Sequence, residues 1–203
     1  MFSSPLIRSA ALSVALIAGT GASSAMADTV TYQMDPTHTS VVMSWSHFGF
    51  SHPTANFSDV KGTIQFDADD VENSSVDVTI PVKTVDTQVP ALTQEFLGEA
   101  YFDVAQYPEA TFKSTEIEST GDQTYDVHGD LTIKGVTKPV VLHATLNNVG
   151  EHPMAKVPAL GFDAETTIQR SEFGLDQYVP SVSDDILIRL SSEAEAAKSS
   201  DAQ

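Results

Sequence analysis

The sequence predicts an all-β fold of about eight antiparallel strands, forming a sandwich or a closed barrel, with one short helical insertion. Three observations predict it. Apolar and polar residues alternate with a period of two through most of the chain, turn-forming clusters separate the alternating runs, and a single segment switches to helical spacing. Strict alternation over consecutive strands means sheet with one apolar and one wet face. Closure of such a sheet removes its exposed edges.

The elements follow in order. Residues 1–27 read as a secretory signal peptide: Arg8, a short apolar run from Ala10 to Ala18, then small residues ending Ala25-Met26-Ala27. Cleavage is expected between Ala27 and Asp28. The run is far shorter than the roughly 20 apolar residues that span a bilayer. In the first strand Val41, Met43, Trp45 and His47 share one face. Val60, Gly62, Ile64 and Phe66 form the next, followed by Val76, Val78, Ile80 and Val82. Pro90 through Phe102 carries Leu92 and Phe96 at helical spacing, with Pro90 suited to a helix start and Gly98 or Pro108 to its end. A strand is expected over 110–118, then Val127 to Ile133, Val140 to Leu146, Phe162 to Ile168 and Ile186 to Leu190. Asp67 to Asp70, Thr120 to Asp122 and Lys134-Gly135 supply turns. A single domain is expected over residues 28–193, with a flexible polar tail at 194–203.

Composition removes whole classes of function. With no cysteine there is no disulfide, thiolate nucleophile, Cys-ligated metal or lipoprotein anchor. The chain has 28 acidic and 10 basic residues, for a net charge of −18. That balance argues against nucleic acid, whose phosphates need clustered Lys and Arg. Loss of Arg8 with the signal segment makes the mature charge −19. With few cations to grip anionic headgroups, only transient membrane contact is expected.

No constellation of catalytic residues stands out. His38, His47 and His52 are spaced by nine and five residues, which puts His38 and His47 on opposite faces of a strand, and no metal motif accompanies them. No metal is therefore assigned. His47 is expected as a hydrogen-bonded polar group at a barrel end, and His128, His143 and His152 as solvent-facing or turn-capping. A nucleophile elbow and a phosphate-cradling glycine loop are both missing. The aromatic residues are more informative, because Trp45, Phe57, Phe66, Phe112 and Phe162 fall on inferred inward faces. Phe96 and Phe102 could close one end. A small eight-stranded barrel has room either for packed side chains or for one small ligand, and the residues alone leave both open.

Five strings in register resemble the YceI-like family. They are Tyr32 through Val41 with His47-Phe48-Gly49; Asn73 through Ile80 running to Val85-Asp86-Thr87; Tyr101 through Ser114; Gly129 through Leu142; and Gly161-Phe162 through Ser171-Glu172-Phe173-Gly174. Together they cover nearly all of residues 30–192. The resemblance implies an eight-stranded, lipocalin-like antiparallel barrel with a helical insertion. It also implies a secreted or periplasmic protein holding a polyisoprenoid or similar long amphiphile, such as an isoprenoid quinone or prenyl phosphate, without catalysis or a cofactor beyond that lipid. Family members are associated with cytochrome b561-type redox partners and with stress responses. An Arg-Asp-x-His-Leu run common in the family's helical insertion is replaced here by Leu92-Thr93-Gln94-Glu95-Phe96, a more apolar lid. Where many members have glycine before the Phe-containing second strand, this chain has Ala55.

The leading expectation is a non-enzymatic periplasmic carrier or buffer of isoprenoid-type lipid. Its ligand-binding candidates are Met43, Trp45, His47, Phe57, Phe66, Leu92, Phe96, Phe102, Phe112 and Phe162. The alternative is an accessory interaction protein for a membrane redox partner or a stress response, its barrel filled. Interior volume separates the two.

Overall fold

The computed structural model describes residues 29–197. The signal segment, the Ala27/Asp28 cleavage point and the end of the tail lie outside the described residues. The strands are β1 (Val30–Met34), β2 (Ser40–His47), β3 (Thr54–Phe57), β4 (Lys61–Phe66), β5 (Ser75–Pro81), β6 (Glu109–Gly121), β7 (Thr124–Ile133), β8 (Val136–Glu151), β9 (Pro158–Gln169) and β10 (Val182–Ala196). Pairing runs β1-β4-β5-β6-β7-β8-β9-β10 and returns from β10 to β1, so eight antiparallel strands close a barrel. The sandwich left open by the sequence is excluded by that closing pair.

Two strands lie outside the anticipated set, β1 and β3. β10 pairs with β1 at Ala194–Ala196 and with β2 over Val182–Ser191. β1 and β2 thus lie in series along one edge of β10. Between them Asp35 accepts bonds from the Thr37 backbone N–H (2.8 Å), the Thr37 hydroxyl (2.7 Å) and His38 Nδ1 (2.7 Å), a side-chain-made turn that interrupts the ladder. These bonds hold the Asp35 carboxyl down at about 2, and the same contact raises His38 above its ordinary value. β3 pairs only with β2 and is fastened beyond it by the reciprocal Asn56–Asp86 backbone bonds at 2.9 Å. Ala55 is fully buried there.

β10 also corrects the tail boundary. The strand continues to Ala196, because Ala194 and Ala196 are buried against β1 and Ser192 is buried beside Thr39. Small side chains pack in a narrow wall; their size had read as a loose end.

The remaining elements form for local reasons. β7 and β8 are joined by Lys134-Gly135, both with positive φ (50° and 75°), the two-residue turn whose twist matches a hairpin. Asp67 is buried and accepts the Asp69 and Asp70 backbone N–H groups at 3.0 Å, which makes the β4–β5 turn. Helix α1 (Pro90–Leu97) starts with proline in its first turn, where no donor is lost, and stops at Gly98. It is the only α-helix among the described residues.

At one end of the barrel the interior is filled. Phe66 stands edge-on to Phe162 at 6.1 Å, and Tyr125 packs on Phe162 at 6.1 Å. Buried Ile64, Ile117, Val127 and Leu146 complete this layer. The other end is hollow.

Candidate functional site

Inward positions of β2, β5, β6, β7, β8, β9 and β10 surround a cavity of about 850 Å³ that opens at the end carrying α1. The strand-borne aliphatic wall is made by Val41 and Met43 of β2, Val78 and Ile80 of β5, and Leu131 and Ile133 of β7. Val140 and Leu142 of β8, Ile168 of β9, and Ile186, Ile188 and Leu190 of β10 complete it. These residues are the apolar phase of the alternation. Antiparallel pairing in register brings that phase to one side of every strand.

Eight of the ten anticipated residues line this cavity: Met43, Trp45, His47, Phe57, Leu92, Phe96, Phe102 and Phe112. Phe66 and Phe162 do not; they belong to the aromatic layer that fills the opposite end. Trp45, Phe57, Phe96, Tyr101 and Phe102 form one aromatic group beneath α1. Phe96 is its hub, with ring centroids 5.5 Å from Trp45, 4.9 Å from Tyr101 and 6.0 Å from Phe102. Phe102 in turn meets Phe57 edge-on at 5.8 Å. Edge-on and tilted geometries place positive ring edges on negative faces.

His47 sits at the barrel end as expected, but its ring packs edge-on against Phe48 at 4.6 Å, and no hydrogen bond fixes it among the described residues. His152 caps a turn, its Nδ1 accepting the Met154 and Ala155 backbone N–H groups at 3.3 and 2.9 Å. Its Nε2 lies 3.2 Å from Glu193, with Glu195 close by. With Nδ1 accepting two backbone N–H groups, Nε2 is the ring nitrogen that faces Glu193.

Polar residues gather at the mouth. Of those in the wall, only Thr166 comes from mid-strand; His47, His52, Thr54, Thr87, Gln88, Glu95, Tyr101, Arg170, Gln177 and Tyr178 come from strand ends, α1 and loops. The Tyr101 phenol is pushed above its ordinary value by burial, then by Glu95 and Tyr178, with Arg170 opposing.

Arg170 was missed in the sequence, although it continues the inward phase Phe162, Ala164, Thr166, Ile168. That phase was itself the signal: an arginine in a core position must be fully bonded. It is buried, and its guanidinium donates to the carbonyls of Ser183 (2.9 Å), Gln177 (2.8 Å), Val182 (3.1 Å) and Leu175. It thereby pins the loop of residues 174–182 over one side of the mouth. Gly174, at φ 73°, starts that loop in a left-handed conformation open to glycine.

Comparison with known proteins gives concordant results. The family described as the YceI-like domain matches residues 32–194. A UPF0312 protein of Pseudomonas savastanoi pv. phaseolicola is 38% identical over 165 residues, covering 81% of this chain and 84% of that one. A UPF0312 protein of Azotobacter vinelandii is 33% identical over 173 residues, 85% of this chain and 90% of its own. Among solved structures, Burkholderia cenocepacia BcnA superposes with a TM-score of 0.72 at 25% identity, covering 79% of this chain and 98% of BcnA. A polyisoprenoid binding domain from Saccharophagus degradans superposes with a TM-score of 0.66 at 14% identity, covering 83% and 99%, a likeness of fold.

Proposed function

Because the chain belongs to the YceI-like family, we propose that its barrel holds the hydrocarbon tail of a long isoprenoid-type amphiphile, as a non-catalytic carrier or buffer outside the cytoplasm. The observation that carries this reading is the cavity: about 850 Å³, apolar along its strands apart from Thr166, with its other polar residues at the mouth. Its volume lies at the upper end of the roughly 300–1,000 Å³ of small-molecule sites. The Saccharophagus domain, called polyisoprenoid binding, shares the same barrel.

The physical driving force is burial. At about 0.8 kcal/mol per methylene, each five-carbon isoprene unit entering the wall of Val, Ile, Leu and Phe contributes roughly 3–4 kcal/mol before ordering costs. The tail then lies inward and the polar end stays at the mouth, near Arg170, Tyr101 and Gln177. The apolar α1, with Leu92 and Phe96 facing the cavity, acts as the lid over the tail. The accessory reading requires a filled barrel, and the hollow interior weighs against it.

Native mass spectrometry and organic extraction of protein purified from its own host test the proposal. A bound isoprenoid quinone, prenyl phosphate or comparable amphiphile is expected. Protein that is repeatedly empty, and that takes up neither class when offered, would refute it. Cross-linking to one fixed membrane partner, with the barrel empty, would favour the accessory role.

A further inference from the structure

Large apolar side chains are exposed around the mouth of the cavity. Phe50 is 92% exposed, Tyr178 65%, Val89 52% and Phe48 51%. Phe48, Val89 and Tyr178 also line the cavity, so this rim is continuous with its interior. The rim is held in place: Phe48 N–H donates to Ser181 O at 3.0 Å, which ties the β2–β3 turn to the loop that Arg170 pins. Phe48 and Tyr178 adopt left-handed backbone, φ 53° and 63°, a conformation that bulky residues rarely take.

We infer that this rim is the surface by which the protein contacts a lipid bilayer, the amphiphile passing between bilayer and cavity without crossing water. The inference rests on the lipid-holding reading above. A bilayer fits better than a second copy of the chain, because a mouth-to-mouth dimer would bring together two chains of net charge −18. The cavity wall contains no lysine, and its one arginine is buried under backbone carbonyls. The contact proposed is therefore aromatic and aliphatic insertion at the interface, with no cation of the cavity wall taking part. The other exposed large apolar residues among those described, Val30, Val149 and Met154, belong to the opposite end and line no part of the cavity.

Phe50 provides the test because it lies on the rim but outside the cavity wall. The full chain is floated with neutral phosphatidylcholine vesicles that carry a fluorescent isoprenoid quinone. Phe50→Ser should lower vesicle partitioning and the rate of quinone uptake by about tenfold, with final occupancy unchanged. Phe50→Trp should restore both. Met154→Ser, equally exposed at the far end, should behave as wild type, and added salt should not weaken binding. The inference is overturned if Phe50→Ser floats and loads like wild type, or if Met154→Ser is equally impaired. It is also overturned if wild type forms a dimer in sedimentation that Phe50→Ser abolishes. Failure of wild type to take up quinone at all would instead refute the lipid-holding reading, and flotation would still judge the rim.

Discussion

Replacing Phe96 by serine removes the hub of the aromatic group and one wall of the cavity at once, and the two effects can be read separately. Its ring is buried and contacts three other rings. Truncating a buried phenylalanine costs about 3–5 kcal/mol, and the lower end applies because the site borders an existing hollow that water can enter. A loss of about 3 kcal/mol lowers the melting temperature by roughly 6–12 °C for a domain of this size. The second effect concerns the tail. If one face of the ring, about a third of the 150–250 Å² an aromatic buries, lies on the tail, its loss removes about 1.5 kcal/mol, roughly tenfold in retention. Leu92→Ser separates the terms, since Leu92 faces the same cavity but is only half-buried and has no ring partners. It should weaken retention several-fold with a much smaller thermal shift. Calorimetry of delipidated protein measures the first effect, and dissociation of a fluorescent prenyl probe the second. Unchanged retention in both variants would refute the role of α1 as a lid. An unchanged melting temperature in Phe96→Ser would refute the hub.

Three further outcomes are expected. Gly129→Ala would drive a Cβ into the Phe112 ring and place it 2.6 Å from the Lys113 carbonyl, so it should destabilise by about 1–3 kcal/mol and displace Phe112 toward the cavity, seen as a lower denaturation midpoint and weaker probe binding. Arg170→Lys offers three donors on a point charge where four carbonyls are now served. It should lower stability by on the order of 3 kcal/mol and speed amide exchange through residues 174–182. Asp35 contributes stability above its ordinary range near pH 4 and loses it as pH falls through about 2; His38 contributes below pH 6.5 and loses it as pH rises through its raised native value. Asp35→Asn should return the His38 titration, followed by NMR, to the ordinary range, and an unmoved midpoint would contradict the pairing.

Alternation revealed the antiparallel sheet, and its apolar phase is written residue by residue in β2, β5, β7 and β9; one apolar phase per strand suits a sandwich as well as a barrel, so closure entered only with the family resemblance. β1 and β3 escaped because four or five residues contain too few alternations to stand out, and because what makes them strands is their pairing, β1 with β4 and the distant β10, β3 with β2. Eight anticipated residues lie in the cavity wall, but its aliphatic part, from Val78 and Ile80 to Ile188 and Leu190, was not among the candidates. Where the wall ended was not readable either: Phe66 and Phe162 share the phase of the wall, and only their depth along the barrel axis, fixed by register, makes them a plug. Whether the interior is hollow depends on the sum of side-chain volumes against barrel radius, which no single residue declares.

The plug gives the barrel a direction. A container open at both ends could act as a conduit, taking molecules in on one side and passing them out on the other. With Phe66, Phe162 and Tyr125 across the far end, whatever enters must leave by reversing its path, tail last. Exchange is then governed wholly by events at one rim. On the lipid-holding reading proposed above, one occupant could then not be displaced from behind by the next, and reloading would have to follow release through the same rim.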